Sequence, residues 1–210
     1  MSERDSMVFI VEDDDQVRTG LSRLLRASGY RVEGFQTATA FLTGTDLTNC
    51  PACLLLDLKL PDKSGLELQR ELQSILPIVF ISGYGDISTT VDAMRAGASD
   101  FLPKPVVAAV LLEAIERALA RAKQIFDLRR ELEAIRSRVD RLTPRERQVM
   151  ALVVTGRLNK QVAGDLGIAE KTIKIHRARV MEKLEASSLV DLIRIADKAG
   201  VDVPHRTRRE

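Results

Sequence analysis

Strand and helix patterns alternate over roughly the first 105 residues. Continuous apolar runs at 7–11, 52–58 and 77–81 are typical of buried parallel strands, a shorter run at 99–102 is a candidate last strand, and 31–35 alternates like a strand near a sheet edge. Three apolar stripes with helical spacing lie between these runs: Val17, Leu21, Leu24 and Leu25; Leu66, Leu68 and Leu72; and Ile87, Val91, Met94 and Ala98. Glycines mark the ends of the helical patterns: Gly29, Gly65, Gly85 and Gly97. The order predicts an α/β doubly wound, five-stranded parallel sheet.

A long helical segment begins near residue 106 and meets no helix breaker before Pro144. Within it, apolar residues recur at alternating steps of three and four, which is the spacing of a coiled-coil seam: Ile125, Leu128, Leu132, Ile135, Val139 and Leu142. The same stripe suits a helix that packs on its own domains, so both interpretations stand.

The pattern over residues 143–199 predicts four short helices and no strand. Thr143 is the predicted N-cap of the first helix and Pro144 is its first residue, and Glu146 completes a capping box with Thr143. Asn159 is a candidate cap for a second helix that ends at Gly167, the third covers 170–184, and Ser187 or Ser188 caps the fourth. The polar tail 204–210 is expected to be disordered.

The balance of acidic and basic residues differs between the two halves of the chain. Residues 1–120 carry 11 Lys/Arg against 17 Asp/Glu, whereas residues 121–210 carry 21 against 13. A basic second half favours a polyanionic partner. The sequence has no apolar run of 18 residues and no signal-peptide core at its start, so we expect a cytoplasmic protein without a membrane partner.

The only two cysteines, Cys50 and Cys53, have the Cys-x-x-Cys spacing of a redox pair or of half a zinc site. A zinc site would need further ligands, and the only histidines, His176 and His205, lie far along the chain. We therefore favour a loop cysteine followed by a strand-entry cysteine, with the redox pair as the alternative.

Acidic residues follow two of the predicted strands. Glu12 and Asp13 come after the first strand and Asp57 ends the third, and in the 2-1-3-4-5 strand order these ends flank the point where ligands bind. Mg²⁺ suits such a cluster of carboxylates. Ser82 and Lys104 end the fourth and fifth strands, where they can meet phosphoryl oxygens, and Lys104-Pro105 is a candidate cis bond.

Four motifs over residues 7–120 together resemble receiver domains of two-component response regulators: Val11-Glu12-Asp13-Asp14, Leu56-Asp57-Leu58-Lys59-Leu60-Pro61, Ile81-Ser82-Gly83, and Ala96-Gly97-Ala98 with Asp100-Phe101 and Lys104-Pro105. The resemblance implies a flavodoxin-like fold with Asp57 as the phosphoacceptor. It implies Mg²⁺ on Glu12, Asp13, Asp57 and the carbonyl of Lys59. Ser82 and Phe101 would form a switch pair, and Lys104 would bind phosphate.

Residues 159–184 have the layout of a helix-turn-helix, with Gly167 in the turn. Ile173, Val180 and Leu184 lie on the predicted core side of the second helix. Its other side is basic and fits the major groove of DNA. The side chains displayed there are Lys171, Thr172, Lys174, Ile175, His176, Arg177 and Arg179.

The string Leu142-Thr143-Pro144-Arg145-Glu146-Arg147, followed by the motifs at 159–163, 166–168, 172–177 and 181–184, is similar to the LuxR-type domain of FixJ/NarL regulators. The resemblance places Lys174 and Ile175 in the major groove and adds Asn159 and Lys160 to the DNA-binding residues. Ala178 replaces a basic contact residue of some relatives. Expected partners are promoter DNA, a sensor histidine kinase, RNA polymerase and, on phosphorylation, a second copy of the chain.

The sequence thus predicts a receiver domain (1–120), a helical linker (121–141) and a DNA-binding domain with a short tail (142–210). Two other classes of protein fit these motifs less well. A phosphatase with a phospho-aspartate intermediate would want a second Asp where Lys59 stands. A flavin- or nucleotide-binding module would want a Gly- or Ser/Thr-rich loop after the first strand, where Glu-Asp-Asp-Asp stands. We therefore expect a transcription regulator and no enzyme.

Overall fold

A computed structural model describes residues 6–72, 75–83 and 87–201, of which residues 87 and 88 are described by their backbone only. The predicted helix end at Gly85 and the tail 204–210 lie outside the described residues. The chain divides into two compact units, with the boundary between Asp127 and Leu128.

The first unit contains a five-stranded parallel sheet in the order β2-β1-β3-β4-β5, which confirms the predicted fold. Its strands are β1 (Met7–Val11), β2 (Arg31–Phe35), β3 (Ala52–Asp57), β4 (Ile78–Ser82) and β5 (Asp100–Pro103). All residues of β3 and β4 are buried, as expected of parallel strands covered on both faces, whereas β2 lies at an edge and is largely exposed.

Helices cover both faces of this sheet. They are α1 (Asp15–Ala27), α2 (Ala38–Gly44), α3 (Gly65–Leu72), α4 (Ile87–Arg95) and the first part of α5 (Ala108–Asp140). Apolar side chains of α2, α3 and α4 share one core with alternate strand residues such as Phe9 and Val11. Those of α1 and α5 share the other core with Val8 and Ile10. The two cores explain why the strand runs are continuously apolar.

One helix was missed by the sequence analysis. Helix α2 has only seven residues, of which Ala38 and Phe41 are buried. Such a short segment spans about two turns, so it cannot display a repeating stripe. Thr37 caps it by accepting a hydrogen bond from the amide of Ala40 at 3.1 Å.

Gly65 brings the start of α3 against the end of β3. A Cβ atom at this position would lie 2.6 Å from the carbonyl oxygen of Asp57 and 3.0 Å from the Phe80 ring. Only glycine allows that approach, and the amide of Gly65 donates a hydrogen bond to the carbonyl of Leu58 at 2.9 Å. The chain after Asp57 is therefore held close to the sheet.

The second unit contains the last part of α5 and four further helices, as predicted: α6 (Pro144–Val153), α7 (Asn159–Leu166), α8 (Glu170–Lys183) and α9 (Leu189–Ala199). Thr143 and Glu146 form the predicted capping box, and Ser188, rather than Ser187, caps α9. Asn159 is not a cap: the N-cap is Leu158, whose amide donates to Gln161 Oε1 at 2.8 Å, and Asn159 is the first helical residue. Gly167 ends α7 in the left-handed conformation.

The 3-4 stripe of α5 divides between two environments. Ile135, Val139 and Leu142 are buried, the last two within the core that α6–α9 form, whereas Leu128 is 53% exposed. The ion pairs Glu131–Lys198 and Arg138–Glu185 hold the same stretch of α5 within this unit. For this half of the stripe, packing within its own domain is therefore the correct interpretation, because a buried side chain cannot serve as a coiled-coil seam.

Candidate functional site

Three carboxylates meet at the carboxyl ends of β1 and β3. Glu12 follows β1 and is fully buried, Asp13 beside it is exposed, and Asp57 ends β3 and is buried. One oxygen from each lies within 4.8 Å of the others. β1 and β3 are hydrogen-bonded neighbours, so their ends lie side by side, and the predicted convergence of the three side chains is found.

Lys104 reaches this cluster from the end of β5. Its Nζ lies 2.6 Å from Glu12 Oε2 and 2.6 Å from Asp57 Oδ2. The amide of Lys104 donates to the carbonyl of Ser82 at 2.7 Å, so the residue after β5 is fixed to the end of β4. The peptide bond between Lys104 and Pro105 is cis, as the sequence suggested.

The pKa values of Glu12 and Lys104 reflect burial first and the charges of their neighbours second. Burial raises the pKa of Glu12 above its ordinary value, and the neighbouring Asp57 charge adds to this, although Lys104 opposes it. Burial alone would lower the pKa of Lys104, but its hydrogen bonds and ion pairs with Asp57 and Glu12 outweigh burial and raise it. The ammonium therefore stays charged at neutral pH.

The donor set suits a hard divalent cation. It offers carboxylate oxygens only, and one of its three members is exposed, which leaves room for water ligands. Three carboxylates against one ammonium leave two negative charges uncompensated, and a divalent cation would neutralise them. Lys59 donates its amide to Asp57 Oδ1 at 3.1 Å and so follows the same turn.

The predicted switch residues lie on the neighbouring strands. Ser82 is buried at the end of β4, 2% exposed, and pairs in register with Pro103 of β5. Phe101 is half-buried on β5, with its ring centroid 6.2 Å from that of Phe80. Ser82 therefore lies on the strand next to β3, and Phe101 lies on the strand after that.

Helix α8 of the second unit has one apolar and one basic face. Ile173 and Val180 are buried, and so is the C-cap Leu184, as predicted. The opposite face exposes Lys171, Lys174, Ile175 and Arg179, and Thr172 is half-buried. Lys160 of α7 is exposed as well. Helices α7 and α8 are joined by a short turn at Gly167 and contact each other, which is the helix-turn-helix layout.

Two of the predicted DNA-binding residues, Asn159 and Arg177, form a hydrogen bond with each other. Arg177 Nη1 donates to Asn159 Oδ1 at 3.1 Å, and this joins the first residue of α7 to the middle of α8. His176 is half-buried, and its Nδ1 atom is fully buried without a hydrogen-bond partner among the described residues. Packing is therefore part of what His176 does.

Comparisons with known proteins agree with this geometry. Residues 8–116 match the response regulator receiver domain, and residues 140–196 match the luxR family of bacterial regulatory proteins. Nodulation protein W of Bradyrhizobium diazoefficiens is 44% identical over 95% of this chain and 89% of that protein. The transcriptional regulatory protein FixJ of Rhizobium meliloti is 42% identical over 93% and 97%. The chain belongs to the two-component response regulators with a LuxR-type DNA-binding domain.

Solved full-length response regulators share its architecture. The structure of the response regulator StyR has a TM-score of 0.79 and 44% identity, with 92% of this chain and 99% of that one covered. Full-length FixJ from B. japonicum has a TM-score of 0.52 and 36% identity, with 92% of this chain and 97% of that one covered.

In the described parts of the regulator, no helix is long and apolar enough to cross a bilayer.

Neither cysteine of this response regulator forms a disulfide. Cys53 is buried in β3, where burial raises the pKa of its thiol, and Cys50 lies half-buried in the preceding loop. A thiol that is buried and hard to ionise is a poor nucleophile for disulfide exchange. The loop and strand-entry interpretation fits this environment better than the redox pair.

Two groups of contacts escaped the sequence analysis. Arg18 of α1 donates to the carbonyl of Glu12 at 2.7 Å, directly behind the acidic cluster. Lys183 of α8 lies 2.7 Å from Oε2 of the buried Glu146. In the sequence, Arg18 and Lys183 look like the other Lys and Arg residues of α1 and α8, so these contacts could not be predicted from the sequence.

Proposed function

We propose that this response regulator accepts a phosphoryl group on Asp57 from a sensor histidine kinase and thereby controls promoter binding by α8. The observation that carries the proposal is the cluster in which Asp57, Glu12 and Asp13 come together with the Lys104 ammonium. Since the partner is promoter DNA, the regulator would act in the cytoplasm.

Glu12, Asp13, Asp57 and the Lys59 carbonyl would hold Mg²⁺ in this proposal. When bound, the ion supplies positive charge that neutralises the carboxylates and the phosphoryl oxygens. The chain's own part is to hold Asp57 as the nucleophile and to present Lys104 to the incoming phosphoryl group. Ser82, at the adjacent strand end, would donate a hydrogen bond to the same oxygens.

Phosphorylation would then change the β4–β5 side of the receiver. Ser82 moves toward the phosphoryl oxygens, and Phe101 turns inward from its half-buried position. The nearby helices carry exposed apolar side chains that a second copy could cover: Val91 and Met94 on α4, Val107 just before α5 and Val110 on α5. Dimerisation would bring two recognition helices to neighbouring turns of DNA, and RNA polymerase would be recruited there.

The dimer is tested by sedimentation of the full chain with and without acetyl phosphate and Mg²⁺. We expect a monomer-to-dimer shift on phosphorylation, which Ser82→Ala weakens because the hydroxyl that follows the phosphoryl group is lost. Ser28→Ala, which removes an exposed hydroxyl at the end of α1, is the control and should leave the shift intact. Phosphorylated protein that stays monomeric while it binds operator tightly would contradict the dimer switch.

DNA recognition is tested at three basic residues of α8. Lys174→Ala should weaken binding to an operator selected from random DNA by about 1–3 kcal/mol, and random DNA much less, if Lys174 reads a base. If Arg177 and Arg179 contact phosphates, Arg177→Ala and Arg179→Ala should weaken binding to both kinds of DNA alike. Titrations over a salt series give the affinity for each DNA and its dependence on salt concentration, which becomes weaker with each phosphate contact that is lost. Unchanged operator affinity for Lys174→Ala would remove that residue from the interface.

A further inference from the structure

The guanidinium of Arg18 contacts the main chain of the turn that carries Glu12 and Asp13. Arg18 Nη1 donates to the carbonyl of Glu12 at 2.7 Å, and its Nη2 forms an ion pair with Asp15. On the other side, the amide of Glu12 donates to the carbonyl of Phe35 at 3.1 Å. The N–H and the C=O of Glu12 are thus both fixed, the first by the edge strand β2 and the second by Arg18.

The position of Arg18 is itself determined by its neighbours. Its side chain is only 17% exposed and lies along Gly34, where an added Cβ would be 3.3 Å from both Cγ and Cδ of Arg18. Ser22 Oγ donates to the carbonyl of Arg18 at 2.7 Å, and Asp14 caps the start of α1 by accepting from two amides. A guanidinium can point its two terminal nitrogens at a carbonyl and a carboxylate at once, which an ammonium cannot do with the same fixed geometry.

We propose that Arg18 is a positioning residue for the acidic cluster: by holding the peptide between Glu12 and Asp13, it aims both carboxylates at a shared divalent cation. This rests on the proposed function, because it assumes that the cluster binds Mg²⁺. Arg18 would touch neither the ion nor the phosphoryl group.

The charge of Arg18 and its geometry act in opposite directions, so the two roles can be separated. A nearby positive charge repels Mg²⁺, so if charge were all that mattered, removal of the guanidinium would tighten Mg²⁺ binding. If Arg18 holds the turn, its removal lets Glu12 and Asp13 take other orientations, and Mg²⁺ binds more weakly. Groups that orient metal ligands typically change affinity by roughly 10- to 100-fold when they are substituted.

The test compares Arg18→Met, Arg18→Lys and the matched control Arg26→Met in the full chain. Arg26 lies on the same helix, and its guanidinium also holds a main-chain carbonyl, that of Val32 at 2.9 Å, which is not part of the acidic turn. The first readout is Mg²⁺ binding alone, by calorimetry and by the rise in melting temperature that Mg²⁺ produces. We expect about tenfold weaker binding for Arg18→Met, an intermediate loss for Arg18→Lys, and a change within about twofold for Arg26→Met.

The second readout is the rate of phosphorylation by acetyl phosphate as a function of Mg²⁺ concentration. Arg18→Met should raise the half-saturating Mg²⁺ concentration about tenfold and leave the rate at saturating Mg²⁺ nearly unchanged, since the nucleophile is untouched. Equal or tighter Mg²⁺ binding by Arg18→Met would overturn the proposal, as would a lower saturating rate with an unchanged half-saturating concentration. If Arg18→Met does not fold, Arg18→Lys decides by the same criteria. Wild-type protein that binds no Mg²⁺ would instead overturn the proposed metal site, and the inference with it.

Discussion

Asp57→Asn should abolish phosphorylation of this response regulator. The substitution keeps the shape of the side chain and its place at the end of β3, but it replaces the nucleophilic carboxylate with an amide that cannot form an acyl phosphate. Intact-mass analysis after incubation with acetyl phosphate and Mg²⁺ measures the effect. We expect one phosphoryl group on wild-type protein and none on the variant.

Asp92→Asn is the matched control for this experiment. Asp92 is an exposed carboxylate on α4 of the same unit, and it takes no part in the acidic cluster. This variant should gain one phosphoryl group like the wild type. A phosphoryl group on Asp57→Asn, or its loss from Asp92→Asn, would show that the acceptor has been assigned to the wrong carboxylate.

Lys183→Met should give the largest loss of stability among substitutions of the second unit's charged residues that we consider. Glu146 is 2% exposed and accepts from Lys183 Nζ at 2.7 Å and from the amide of Thr143 at 2.8 Å, while Lys183 also donates to the carbonyl of Arg141 at 3.2 Å. Removal of the cation leaves this carboxylate with the Thr143 amide but without an opposite charge. Breaking a fully buried pair costs about 3–5 kcal/mol and breaking a surface pair about 0–1 kcal/mol; because Lys183 is one-third exposed, we expect about 1–2 kcal/mol.

Hydrogen exchange followed by mass spectrometry over a urea series measures this for each unit separately, because peptides report their own region. Lys171→Met, an exposed cation of the same helix, should change the free energy of unfolding by less than about 0.5 kcal/mol. Adding Glu146→Gln to Lys183→Met should recover much of the loss, since the amide keeps the cap without a buried charge. A loss of the same size in Lys171→Met, or no recovery in the double variant, would argue against the pair.

The same pair gives a pH dependence. Burial alone would raise the pKa of Glu146, but hydrogen bonds from Lys183 and Thr143 outweigh it and hold the pKa below its ordinary value. A lowered pKa contributes stability above the ordinary glutamate pKa of about 4.3, and this contribution disappears as pH falls through the folded-state value. The difference between wild type and Lys183→Met should therefore shrink in acid.

Much of the receiver could be predicted because its signals are local. Glu12, Asp13 and Asp57 stand at the ends of apolar strands and Lys104 follows the short last strand, and the parallel order of strands requires those ends to share one edge of the sheet. Asp57, Glu12, Asp13 and Lys104 therefore came together from the sequence pattern alone. Helix α2 did not, because seven residues are too few for a periodic pattern.

The other errors and omissions involve contacts between residues that are distant in sequence. Asn159 has the chemistry of an N-cap, but its side chain accepts from Arg177, 18 residues away, and the helix begins one residue earlier than a cap at Asn159 requires. Lys183 and Glu146 are 37 residues apart, and only the packing of α6 against α8 joins them. The 3-4 stripe of α5 was ambiguous because a coiled-coil seam and a core-facing stripe share one period.

The most direct test of the account is the operator affinity of the full chain before and after phosphorylation, with Asp57→Asn treated in parallel. We expect acetyl phosphate and Mg²⁺ to tighten operator binding by wild-type protein and to leave operator binding by Asp57→Asn unchanged. Lys174→Ala should respond to phosphorylation but bind the operator more weakly throughout. Equal operator affinity of phosphorylated and unphosphorylated wild-type protein would contradict the claim that the acidic cluster of the receiver controls DNA binding.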